Sequence, residues 1–361
     1  MKNLALLGVI VTAFALVSCS GSNAIPNTVV IPGSSQSYLT SPTYATGTEE
    51  LAAFYAINAF RNSMGLGYWN QDVHLDTAAQ FHMQYSIHNP QITNPFQTDI
   101  EIAGYPNFYG TSPSVRAINS GYFYIENTVT ALNVPTASVG ELYSTGSGAD
   151  IVAAMVNTIY HRSGLLAQST VNIGMGRDTA GPITASTPTH WWISHGRLTS
   201  SQSVSSNYLA VYPLNQEQNV PLSMDPENPS VYDNTTIPNF SFQTNTSSPV
   251  SITLSTLVQI TVTSFTVTPI GSTQPLPGKT WTMSNDPNLN TADYSSATIN
   301  LSTPPAPVPT IGANEAYWVG DAPFLPNTTY IATVVGTTYL VPYAITNPIS
   351  QTWTFTTGSG T

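Results

Sequence analysis

Residues 48–65 read TEELAAFYAINAFRNSMG, and the first half of the chain is organised around this run. Thr48 offers a side-chain oxygen to cap a helix, and Glu49 and Glu50 place acids where the helix dipole favours them. Leu51, Phe54, Tyr55, Asn58 and Arg61 follow at helical spacing, and Gly65 ends the run. The same spacing predicts a second helix over residues 75–87, with Ala78, Ala79 and His82 on adjoining turns, and a third over 149–160. Residues 89–147 are punctuated by Pro and Gly and read as loops, whereas 172–176 and 190–195 read as strands. Helices first and strands later predict an α+β unit.

Past residue 199 the texture changes. A Ser-rich joint over 199–207 reads as a linker, so two separable units meeting near 199–212 are expected. After it come β-branched, alternating runs at 258–268, 330–335 and 352–357, broken by Pro and Gly, the pattern of a β-sandwich. Lys279 is the single Lys or Arg of this half.

The chain has 361 residues, room for two domains. Only 7% are charged, against about 25% in an average soluble protein, while 41% are apolar. A net charge of −11 repels phosphate backbones, which excludes nucleic acid as a partner. Outside the N-terminus no apolar run approaches the roughly 20 residues of a membrane helix.

At the N-terminus, Lys2 precedes an apolar stretch from Leu4 to Val17, which reads as a secretory signal over 1–18. It closes on Leu16-Val17-Ser18-Cys19, and Cys19 is the only cysteine. This resembles the lipobox of bacterial lipoproteins, which implies cleavage before Cys19 and a diacylglycerol on its thiol. Multiple acyl chains anchor firmly to membranes. Ser20 stands where inner-membrane-retained lipoproteins carry Asp, so an outer-membrane or cell-surface location is expected. The uncharged residues after Cys19, through 47, read as a flexible tether.

Four anchors in the first half occur in order. They are Ile57-Asn58…Arg61, Gly65-Leu66, Asp72…Leu75…Ala79…His82; Gly140-Glu141; His161-Arg162-Ser163-Gly164-Leu165-Leu166; and Ile173-Gly174-Met175-Gly176. Together they resemble the bacterial CAP (SCP/PR-1-like) domain over 48–198. The resemblance implies an α-β-α sandwich with a groove lined by two His and two acids. His161 and Glu141 match one of each. The other His position falls on Asp99 with Glu101 nearby, or on His88 under a different alignment, and Asn157 or Asp150 stands where a second Glu is usual. Residues 326–330 and 352–358, Pro-Asn-Thr-Thr-Tyr and Thr-Trp-Thr-Phe-Thr-Thr-Gly, resemble the end of bacterial Ig-like domains of the surface-layer type. The organisation is then a signal over 1–18, a tether over 19–47, a CAP-like unit over 48–198, a connector over 199–244 and an Ig-like sandwich over 245–361.

The groove candidates are therefore His161, Glu141, Asp99, Glu101, His82 and His88. His161 also has the option of capping a helix C-terminus, Glu141 of being a solvated loop acid, and His82 of a structural hydrogen bond. Arg61 is expected to pair with an acid such as Asp72. His190 and His195, five apart on a strand, point to opposite faces and cannot share a metal. No Gly-x-Ser-x-Gly elbow or His-Glu-x-x-His motif is present. If His161 and Glu141 face each other they form a weak divalent-metal site, for zinc or, with oxygen-rich neighbours, calcium; no cofactor is required. The expected function is a surface-anchored, non-catalytic binding protein for a lipid, glycan or peptide. The alternatives are an envelope hydrolase using His161 and Glu141, or an adhesive protein with a vestigial groove.

Overall fold

The computed structural model describes residues 30–31, 39–90, 99–127, 133–178, 189–199, 202, 205–232, 240–289 and 311–360. The signal and Cys19 lie outside them. The chain combines helices and sheets, so it is of the α+β class.

A two-residue strand β1 (Val30–Ile31) comes first, then helix α1 (Glu49–Ser63), β2 (Asn70–Gln71) and helix α2 (Val73–His88). Thr48 and Asp72 cap the two helices by accepting from Leu51 N and His74 N. Helix α3 (Pro113–Ser120) leads through a small hairpin, β3 (Tyr124–Glu126) and β4 (Val134–Thr136), into β5 (Ser138–Thr145). Two short helices, α4 (Ile151–Val156) and α5 (Tyr160–Leu165), precede β6 (Asn172–Arg177) and β7 (His190–Arg197). The sheet order is β2-β6-β7-β5, which leaves β5 at an edge.

Strand alternation divides this sheet. Leu142, Ile173, Met175, Trp191 and Ile193 face a core shared with Phe54 and Ile57 of α1 and Met155 of α4. On the other face Trp192 packs against Ala79 and Met83 of α2. The α2 backbone lies so close to β6 that a Cβ at Gly174 would fall 2.1 Å from Asp76 N, so only glycine fits there.

The second half opens with β8 (Leu209–Tyr212) and β9 (Glu217–Val220). It continues through β10 (Val250–Leu254), β11 (Val258–Pro269), β12 (Gly278–Thr282), β13 (Glu315–Gly320), β14 (Thr329–Leu340) and β15 (Ile345–Thr357). These make two sheets, β1-β8-β10-β13-β12 and β11-β14-β15-β9. Val211, Ile252 and Trp318 from the first meet Val267, Tyr330 and Trp353 from the second in one core.

Several sequence expectations change here. Residues 39–47 are docked rather than free: Leu39 and Tyr44 pack on the first core, the Tyr44 hydroxyl donates to Asp76, and Thr40 and Thr43 bond the Asn70 and Gln71 side chains. Helix 149–160 is instead two helices, because the Glu227 carboxylate accepts from Ile159 N and Tyr160 N, both at 2.9 Å, and starts α5 afresh. Residues 138–145 form a strand, not a loop. Arg61 bonds the carbonyls of Gly67, Leu165 and Ala167 and lies 4.0 Å over the Trp69 ring; it does not pair with Asp72.

The joint near 199–212 does not separate two bodies. Arg162 is fully buried between them, donating to Val156 O and Ser251 Oγ and stacked on Tyr212. Asn157 bridges Ser223 O and Ser248 Oγ, Ser163 donates to Glu315, and Tyr208 donates to Met64 O. Ile159 and Tyr160 share a core with Met224, Phe242 and Tyr317. A charge-poor chain forms this seam largely from paired polar groups, which lose little on leaving water where they find partners; Arg162 Nη2 is buried with no hydrogen-bond partner among the described residues.

Candidate functional site

Glu141 sits in β5 opposite Ser194 of β7, whose hydroxyl donates to Glu141 Oε1 at 3.0 Å. Helix α3 brings Arg116 to the other oxygen, Nη2 to Oε2 at 2.5 Å. Arg116 also donates to Gly110 O and Asp99 O. Its Nε lies 3.8 Å from Glu101 Oε1. Glu101 Oε1 is 3.0 Å from His82 Nδ1, and its Oε2 accepts from Tyr109 N and Gly110 N. His82 Nε2 closes the ring 3.8 Å from Glu141 Oε2. All four side chains are excluded from solvent. Burial pushes the Glu101 carboxyl up, while Arg116 and the two backbone N–H groups oppose the shift. His82 is thus a member of a buried ring of polar side chains, hydrogen-bonded to Glu101 as the structural reading expects.

His161 is not part of this ring. Its Nδ1 is 3.4 Å from Glu227 Oε2, an acid supplied by the second half. The expected His161–Glu141 pair is corrected accordingly: each has a different partner. His88 is exposed at the end of α2, its Nδ1 2.8 Å from Gln84 O, and stands apart from the site. As a zinc site the pair fails on donors, since three convergent protein ligands are needed and the Arg116 guanidinium already holds the cation position at Glu141. Among the described residues no group of three or more His, Cys, Asp or Glu is placed to hold a metal.

Three of the candidates, Asp99, Glu141 and His161, line one cavity of about 1320 Å³, which Glu101, His82 and His88 do not reach. It runs along the free edge of β5, whose residues 139–145 all line it, and is closed on the far side by residues 225–230 of the second half. Five carboxylates reach its wall: Asp99, Glu141, Asp225, Glu227 and Glu315. Among the described residues no Lys or Arg lines it, whereas Tyr160, Trp192 and Tyr232 do. The Asp99 carboxyl is pushed up to about 7 by burial and by nearby Glu141, with Arg116 pulling the other way. Burial likewise raises Asp225. His195 lines the same cavity, stacks on Trp69 at 4.9 Å, and is pushed down to about 3 by burial and by Arg61.

Sequence reasoning missed Arg116, Glu227 and Asp225. The signal for Arg116 was its rarity: with so few basic residues, an arginine in a Gly-Pro-rich stretch has a specific partner. Glu227 and Asp225 lie in Asp225-Pro226-Glu227-Asn228-Pro229, where two acids flank Pro226 and Pro229 follows, prolines that stiffen the segment. No family model matches the chain, and no curated protein matches it.

Proposed function

We propose that the protein is an extracytoplasmic, lipid-anchored binding protein, built from a CAP-type first half and an Ig-like second half. It holds a glycan or a peptide in the cavity between them without altering it chemically. Cys19 carries the lipid, and the protein faces outward from the outer membrane or cell surface. The observation that carries this reading is the cavity wall, which among the described residues has five carboxylates, aromatic rings and no Lys or Arg. Such a surface repels anionic ligands and offers hydrogen-bond acceptors with stacking faces to polar ones. Of the three ligand classes open at the sequence level, this disfavours an acidic lipid and favours a neutral glycan or a cationic peptide. Hydrolysis by a His161–Glu141 dyad has no support from the geometry, because those two side chains engage Glu227 and Arg116.

The test is calorimetric titration of the full chain with chitotetraose, with a Lys-Thr octapeptide and with oleate, followed by chromatography of the recovered ligand. The reading expects heat from one of the first two, none from oleate, and unchanged ligand. Preferential oleate binding, or cleavage of the ligand, overturns it.

A further inference from the structure

Resting on the binding reading, we infer that the cavity takes an extended basic peptide, added as a fifth strand on the free edge of β5.

The register of the sheet fixes which way the β5 backbone points. Val171 N donates to Gly196 O and Asp178 N donates to His190 O, so the even-numbered residues of β7 turn towards β6. His195, Ile193 and Trp191 therefore turn towards β5 and meet Gly140, Leu142 and Ser144. The backbone groups of Val139, Glu141, Tyr143 and Thr145 point the other way, into the cavity that these residues line. Val139 N finds Ser114 Oγ at 3.3 Å, which agrees with this direction. The Glu141 and Thr145 N–H and C=O groups have no hydrogen-bond partner among the described residues. The outward donors and acceptors of Glu141 and Thr145 are a template for one more strand.

Edge strands are commonly blunted by lysine or proline, and β5 has neither. Its edge is instead sheltered behind the wall made by residues 225–230, in a space large enough for a peptide. Charge selects the peptide. Glu141 is paired with Arg116, and Glu227 accepts from two helix N–H groups; Asp99 and Asp225 form no ion pair among the described residues, although Arg116 also acts on Asp99. A strand on β5 turns alternate side chains to each face, so Lys or Arg at alternate positions reaches these acids while the intervening side chains meet Tyr160 and Tyr232.

The experiment titrates the full chain with three octapeptides: alternating Lys-Thr, alternating Glu-Thr, and Lys-Thr N-methylated at every second residue. The first is expected to bind, with affinity falling as salt rises. The second is expected not to bind. The third retains the charge but loses the strand hydrogen bonds, and is expected to bind about tenfold more weakly or worse. Thr145→Pro removes an outward N–H that no ladder bond uses, and is expected to weaken the Lys-Thr peptide by a similar factor. Equal binding of the N-methylated peptide overturns strand addition, and binding of the Glu-Thr peptide overturns the charge selection. Chitotetraose binding without Lys-Thr binding overturns this inference but leaves the binding reading standing; no binding of either overturns both.

Discussion

His161 faces Glu227, Nδ1 to Oε2 at 3.4 Å, across the seam between the two halves of the chain. The same carboxylate starts helix α5 by accepting from Ile159 N and Tyr160 N. One acid from the second half therefore sets both the conformation and the electrostatic partner of a histidine in the first. The cavity is a property of the joined halves, and its wall is incomplete without either.

Glu227→Ala should lower stability by about 1.5–3 kcal/mol, the scale of hydrogen bonds to a charged group. It removes the acceptor of two buried N–H groups and leaves them unpaired. Glu227→Gln, which keeps one carbonyl oxygen, should cost less. Urea denaturation midpoints rank the two; an alanine variant as stable as the parent would remove Glu227 from the seam.

Arg116→Met should be among the most damaging single changes, costing roughly 3–5 kcal/mol, because it strands Glu101 and Glu141 in a buried ring. Adding Glu141→Gln should recover part of the loss, since one of the stranded charges is then gone. The double-mutant cycle measures this coupling, and strict additivity would mean that the ring does not act as a unit.

Asp99 titrates near 7 in the folded protein and about 3.9 when unfolded. Between those values the native state holds a proton that the unfolded state has released, so its contribution to stability falls as pH rises. Asp99→Asn should raise the melting temperature at about pH 8 and leave it nearly unchanged near pH 4. An equal gain at both pH values contradicts the assignment.

His195 runs in the opposite direction. Its folded value is about 3 against about 6.5 unfolded, so the stability it allows is complete above 6.5 and is lost as pH falls through that window. Its Nδ1 is buried with no hydrogen-bond partner among the described residues, and the ring stacks on Trp69. His195→Phe keeps the stack and removes the titration. The variant should gain on the parent at about pH 5 relative to pH 8. Parallel acid-denaturation curves for the two proteins would refute this.

Helices α1 and α2 were legible because their instructions are local: Thr48 and Asp72 cap them, and apolar residues recur every three or four positions. The strands of the second half were legible for the same reason, since β-branched alternation is read within a few residues. Glu101, Glu141, His82 and Asp99 stand as candidates through the resemblance of the first half to the CAP domain, position by position. Their connections were not legible. Arg116 reaches Glu141 across 25 positions, and Glu227 reaches Ile159 across 68. A hydrogen bond depends on distance in space, and sequence pattern carries that information only within a turn of helix or a pair of neighbouring strands. Hence 149–160, which reads as one helix, is two; 138–145, which reads as loop, is β5; and the two expected units share a buried seam made by residues such as Arg162 and Asn157. Local pattern and composition carry α1, α2, the strands of the second half and the acidic, charge-poor character of the chain. The tertiary structure decided which acids meet which cations, and that the free edge of β5 opens onto the cavity.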